Sequence, residues 1–179
     1  CDRVVRDEAG WSLLEELSAD PAHSRLDEVD VVQPLISCVQ MALTELWRSW
    51  GVVPDVVVGH SLGEVAAAYA AGILDLEDAV RLICVYSRMQ TRPECRGGKA
   101  IINLPADDAA RLVEPYGGRV VVAGLNGPAS TLLSGDADAL DEVVAACAAR
   151  SVFAARVQVN VAVHNPRFES VVADMTAAL

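Results

Sequence analysis

The chain has 179 residues, about the size of one domain, and 53% of them are hydrophobic but only 4% aromatic, so a core can be built mainly from Ala, Val and Leu. That composition excludes a disordered, collagen-like or low-complexity chain. With 14 Lys+Arg against 25 Asp+Glu the formal charge is −11, which argues against a nucleic-acid partner and disfavours an anionic membrane surface.

Taken in chain order, residues 11–20 (WSLLEELSAD) carry apolar residues at helical spacing. Residues 21–30 are polar, contain Pro21 and read as a loop. A stronger helix spans 34–50, opened by Asp30 or a neighbour, with Pro34 in its first turn and Gly51 as its C-terminal stop. Val56-Val57-Val58 reads as a short, buried central strand of a parallel sheet. Gly59 to Gly63 makes a turn, and a helix rich in small residues follows and stops at Gly72. Residues 76–92 form another helix, with Glu77 and Asp78 in the first turn where the helix dipole favours acids.

The texture changes at Pro93–Gly98. Beyond it come a strand at 99–104, a helix at 106–114, a hairpin of 119–125 and 130–134 about Asn126-Gly127-Pro128, a helix at 137–150 and a strand at 152–161. This β-α-β-β-α-β order is the split, ferredoxin-like pattern. The five cysteines (Cys1, Cys38, Cys84, Cys95, Cys147) are scattered, odd in number and without a Cys-x-x-Cys pair, so neither a disulfide framework nor a zinc site is expected. No apolar run approaches a membrane span, and Cys1-Asp2-Arg3 does not open a signal peptide. Reduced, mostly buried thiols in a cytoplasmic protein are the expectation.

Gly59-His60-Ser61-Leu62-Gly63 is a G-x-S-x-G nucleophile elbow in the expected strand-to-helix context. A serine on such a turn presents its hydroxyl above the sheet, its glycines admit close backbone approach, and the following helix N-terminus offers N–H donors to a developing oxyanion. A serine nucleophile needs a base, and the chain has three histidines. His23 lies in a polar loop, and His60 adjoins the serine on a sharp turn where adjacent side chains diverge, so it reads as a packing or loop-fixing residue. His164 follows the last strand, before Asn165-Pro166, and can be either an ordinary turn histidine or one pointing back over the elbow.

The run VVQPLIS, the block GHSLGEVAAAYAAGILDLEDAVRL, the hairpin GLNGPASTLLSGD and the turn VHNP occur in one order across nearly the whole chain. Together they resemble the acyltransferase domain of modular polyketide synthases and the related malonyl-CoA:acyl-carrier-protein transacylases. The resemblance implies an α/β fold: an α/β-hydrolase-like large subdomain (parallel sheet with helices) with a ferredoxin-like insert. On that division, residues 1–97 are part of the large subdomain, 98–162 the insert and 163–179 the return. It implies Ser61 as nucleophile, His164 as general base, the Leu62 N–H as an oxyanion donor and Gln33 as a residue lining the site. Glu64 reads as a helix N-terminal acid tying down the elbow.

The chain departs from that family pattern in three ways. No glycine- and glutamine-rich turn, the source of the second oxyanion donor, precedes Trp11, and the family continues well past the position of Leu179. Where relatives that take malonyl or methylmalonyl units carry a carboxylate-binding arginine, this chain has Tyr86, and Arg88, about 200° round the helix, cannot simply substitute. Val161 and Val163 make the wall before the histidine small and apolar. The expected function is therefore transfer of a neutral, starter-type acyl group from acyl-CoA, through a Ser61 ester, to the phosphopantetheine thiol of an acyl carrier protein. No metal or redox cofactor is required, phosphopantetheine belongs to the partner, and neighbouring synthase domains are the other partners. The alternatives are a malonyl or methylmalonyl extender acyltransferase, an inactive acyltransferase remnant, and an α/β-hydrolase or thioesterase. The last would need an acid, for which Asp136 is the one candidate and reads as an N-cap-region residue.

Overall fold

The computed structural model describes residues 1–179 and divides into two units, Cys1–Met89 with Met175–Leu179, and Gln90–Asp174. The first unit is built on helices α1 (Asp2–Ala9), α2 (Leu13–Leu17), α3 (Val29–Ser49), α4 (Gly63–Ala70) and α5 (Leu76–Gln90). Its core joins Val5, Leu35, Cys38, Met41, Val80 and Cys84. Helix α1, which the apolar spacing does not announce, forms because Val4 and Val5 reach that core and Gly10, at φ 78°, closes its end. Asp2 ties α1 to α2 by accepting from the Ser12 hydroxyl (2.9 Å) and the Leu14 N–H (3.2 Å). The Arg6 guanidinium, foremost among several donors, holds its carboxyl down at about 2.

Helix α3 begins before Pro34 and contains it, where the sequence pattern puts the proline in the first turn. Val31, Pro34, Leu35 and Cys38 are buried along one face, and that burial offsets the single helix bond a proline forfeits. By length and composition α3 is the one helix able to cross a membrane, but this face lies among the core residues. Its end is a Schellman closure: the Gly51 N–H bonds the Arg48 carbonyl at 2.9 Å and the Val52 N–H bonds that of Trp47 at 3.0 Å. Gly72 closes α4 in the same way, with Gly72 to Tyr69 and Ile73 to Ala68, both at 2.9 Å.

Residues 56–58 do not form the expected buried strand. They carry no ladder, and Val56 and Val58 are 79% and 89% exposed. A strand exists only through bonds to a neighbouring strand, and the first unit contributes none. The α/β class holds for the chain because its sheet lies in the second unit.

That unit runs β1 (Gly98–Ile102), α6 (Ala106–Val113), β2 (Val120–Gly127), β3 (Ser130–Gly135), α7 (Ala137–Ala149) and β4 (Ala154–Val157), with α8 (Glu169–Ala178) after it. The sheet order is β2-β3-β1-β4 and every adjacent pair is antiparallel, the ferredoxin-like arrangement expected from the element order. Ala100, Ile102 and Leu133 pack with Ala109 and Val113 of α6 and Leu140 and Val143 of α7, so both helices cover one face of the sheet. Strand β4 is shorter than the 152–161 pattern because a tight turn, Val159 N–H to Val157 carbonyl at 2.8 Å, interrupts it. The chain then runs beside 95–97, with Ala162 N–H to Cys95 carbonyl at 2.8 Å and an Arg96–Val161 bridge. This lacing, with the Arg92–Asp174 ion pair, places 90–97 and 163–174 in the second unit rather than with the first.

Candidate active site

Ser61 has φ 52°, in the left-handed region that side chains other than glycine rarely occupy. Such a conformation costs about 1–3 kcal/mol and persists only when its surroundings over-determine it. Here the turn is held by Gly63 N–H to the His60 carbonyl (3.0 Å), Glu64 N–H to the Ser61 carbonyl (3.0 Å) and Val65 N–H to the Leu62 carbonyl (3.4 Å). Helix α4 starts from Leu62, so Ser61 sits at the mouth of its first turn. The Leu62 N–H takes no part in those three bonds, which is what an oxyanion donor requires.

The two glycines of the motif differ. A Cβ at Gly59 would lie 2.4 Å from the Glu64 Cα and 2.7 Å from the Glu64 N, whereas one at Gly63 would meet nothing within 4 Å. Close approach therefore explains Gly59 alone. It also changes the reading of Glu64, whose backbone, packed on Gly59, braces the elbow while its side chain stands exposed in the first turn of α4. His60 is exposed rather than packed, and its contribution to the turn is its carbonyl. His23 is exposed in its loop, as expected.

His164 lies in the second unit and is, with Ser61 and Ser151, one of three non-glycine residues at positive φ, at 55°. The Asn-Pro that follows marks the turn in the sequence, but not the positive φ of His164. Asn165 is extended, as a residue before proline must be, and buried. Its Oδ1 accepts from the Arg167 N–H at 3.1 Å and its Nδ2 donates to the Ser134 carbonyl at 3.4 Å. Val161, Ala162 and Val163, buried at 6%, 0% and 3% exposure, lead into the turn. Asp136 accepts from Arg167, three residues after His164, at 2.6 Å and from Arg119 at 3.0 Å. Those two guanidinium groups, Arg167 foremost, hold its carboxyl below the usual aspartate range. Asp136 is the N-cap of α7 by backbone position, but its carboxylate braces the histidine turn.

Gln33 is half-buried on α3 just before Pro34, and Tyr86 is half-buried on α5. The neighbouring cations of α5 turn to α1: Arg81 pairs with the Glu8 carboxylate at 2.8 Å, and Arg88 donates to the Glu8 carbonyl at 3.3 Å. Cys38, Cys84, Cys95 and Cys147 are buried free thiols, and burial pushes Cys38 up to about 12 and Cys84 up to about 11. These are packing residues, not nucleophiles. No group of three or more His, Cys, Asp or Glu is placed to hold a metal ion.

An elbow serine ahead of a ferredoxin-like unit with a strained histidine turn is matched, over residues 1–179, by the sequence pattern described as "Acyl transferase domain". The chain belongs to the acyl transferase domain family. It is 44% identical over 172 residues to erythronolide synthase EryA3 of Saccharopolyspora erythraea, a match covering 95% of this chain and 5% of that protein. The acyltransferase domain from module 8 of the salinomycin polyketide synthase superposes with TM-score 0.91 at 38% identity, covering 100% of this chain and 42% of the other. A loading acyltransferase from the avermectin modular polyketide synthase superposes with TM-score 0.93 at 35% identity, covering 100% and 57%. The chain thus spans about half the length of the solved domains and a small fraction of the curated synthase.

Proposed function

We propose that this acyltransferase chain loads an acyl group from acyl-CoA onto Ser61 and passes it to the phosphopantetheine thiol of an acyl carrier protein. The observation that carries the reading is the left-handed Ser61 at the N-terminus of α4, in a chain of the acyl transferase family. In the first half-reaction the His164 imidazole takes the Ser61 hydroxyl proton as the oxygen attacks the thioester carbonyl. The Leu62 N–H stabilises the oxyanion, and the CoA sulfur leaves with the proton from His164. In the second half-reaction the carrier thiol gives its proton to His164 and attacks the serine ester, and the Ser61 oxygen takes the proton back. Neighbouring synthase domains and a cytoplasmic setting belong to the same reading.

The acyl group is a neutral monocarboxylic one. Gln33, Tyr86, Val161 and Val163 line the pocket in this reading, and none is cationic. Tyr86 stands where dicarboxylate-using relatives have arginine, and Arg81 and Arg88 are engaged with Glu8. An unpaired carboxylate in a dry pocket costs several kcal/mol, roughly 100-fold or more in kcat/KM. That a loading acyltransferase is among the structural relatives agrees with a starter role. A thioesterase reading loses its candidate acid, since Asp136 is committed to two arginines. The test weighs the acyl-enzyme by mass spectrometry after competition between acetyl-, malonyl- and methylmalonyl-CoA. Acetyl adduct on Ser61, absent in Ser61→Ala, with malonyl gaining in Tyr86→Arg, is the expected result. Preference of the unmutated protein for malonyl or methylmalonyl refutes the neutral pocket, and an adduct persisting in Ser61→Ala refutes the nucleophile.

A further inference from the structure

Lysine is out of place in the strand β1, Gly98-Lys99-Ala100-Ile101-Ile102. Ala100 and Ile102 point into the core under α6 and α7, so Lys99 and Ile101 point from the opposite face of the sheet. Directly opposite Lys99 in the ladder stands Ser134 on β3, and side chains directly opposite share a face. The Ser134 hydroxyl is fully buried and makes no hydrogen bond. Lys99 is half-buried and takes part in none of the ion pairs of the second unit, although that unit carries several carboxylates. Burial pushes its amine below the usual lysine range, with no carboxylate opposing that shift. A half-buried cation without a counter-ion beside a buried hydroxyl without a partner is a costly pair to keep. The same spot adjoins the histidine turn: Asn165, next to His164, donates to the backbone carbonyl of this same Ser134. Gly97, at φ 156°, would drive a Cβ to 2.7 Å from that of Ala162, so the segment leading to His164 runs close beside the start of β1.

We propose that Lys99 and Ser134 form an oxyanion-binding subsite on this face, which holds an anionic group of the thioester donor beside His164. The Lys99 ammonium supplies the charge and up to three donors, and the Ser134 hydroxyl a further one. The proposal rests on the acyl-transfer reading, and it leaves two sources for the anion: a phosphate of the CoA moiety or a free carboxylate on the acyl group.

The test compares wild type, Lys99→Met and Ser134→Ala in two measurements, with unchanged circular dichroism and urea midpoint as the fold control. Initial rates of Ser61 acylation are followed by mass spectrometry with four donors: acetyl-CoA, malonyl-CoA and their N-acetylcysteamine thioesters, which lack phosphate. A roughly tenfold or greater loss with Lys99→Met for both CoA donors, but for neither short thioester, assigns the subsite to phosphate. A loss confined to the malonyl donors assigns it to the acyl carboxylate, and overturns the neutral pocket while leaving the subsite standing. Equal rates for wild type and Lys99→Met with every donor overturn the subsite and leave acyl transfer standing. Calorimetric titration of the Ser61→Ala protein with CoA, and separately with malonate, needs no turnover. Loss of the affinity for one of them on adding Lys99→Met supports the subsite even if no donor acylates Ser61. Binding of neither, or no change on adding Lys99→Met, overturns it.

Discussion

Replacing Gly59 by alanine tests whether the elbow is built as described. The new Cβ would stand 2.4 Å from the Glu64 Cα, 2.7 Å from the Glu64 N and 2.8 Å from the Gly63 carbonyl oxygen. All three obstacles are backbone, so no rotamer change relieves them. Restoring an ordinary carbon contact of about 3.5 Å means moving the start of α4 by about 1 Å. Overpacking of that kind costs about 1–3 kcal/mol, and a displacement near 1 Å at a reacting group costs about 100-fold in rate. Gly63→Ala is the internal control. Its Cβ meets nothing within 4 Å, and alanine in the helix is worth up to about 1 kcal/mol over glycine. Urea midpoints should therefore separate the two variants by about 2 kcal/mol or more. The rate at which a fluorophosphonate captures Ser61 should fall about 100-fold in Gly59→Ala and little in Gly63→Ala. Equal destabilisation by the two substitutions would refute the view that close approach of α4 to residue 59 shapes the turn.

Two further outcomes follow from the strained turn and its counterpart. Ser61→Gly and Ser61→Ala lose the same hydroxyl, but only glycine is at ease at φ 52°, so the glycine variant should be the more stable, by about 0.5–1 kcal/mol in urea unfolding. A less stable glycine variant would show that the left-handed backbone is not strained there. Asp136→Asn should cost about 1 kcal/mol at pH 7. Because the folded pKa of Asp136 is lowered, its contribution is fully present above the ordinary aspartate value near 4 and fades as the pH falls through the folded value. Wild-type and Asp136→Asn urea midpoints should therefore converge on acidification, and a gap that stays constant to low pH would contradict the role of its charge.

The ferredoxin-like unit was legible in the sequence because its strands pair with each other. The apolar runs read as strands at 99–104, 119–125 and 130–134 have their partners in the same stretch, although the hairpin turn expected at Asn126-Gly127-Pro128 falls at Pro128-Ala129, with Asn126 and Gly127 still in β2. The elbow was legible for a related reason: Gly59 to Gly63 is a local device, and its bonds run between residues three apart. Helix ends were written in Gly51 and Gly72, since only glycine sits readily at their positive φ. Other features needed the tertiary structure. Helix α1 exists through burial of two valines that its own pattern underweights. Val56–Val58 have the composition of a buried strand, yet hydrogen-bond pairing is a property of two segments, and a single one cannot supply it. Identical residue types also split by surroundings: Gly59 has no room for a methyl group and Gly63 has ample room. Asp136, a helix-cap residue by sequence, became the brace of the histidine turn only when folding brought Arg119 and Arg167 to it. Lys99 reads as one polar residue in an apolar strand until the register sets it opposite the buried hydroxyl of Ser134. Local conformation is chosen by neighbours in sequence, whereas charge pairing and free space depend on residues that only the fold makes neighbours.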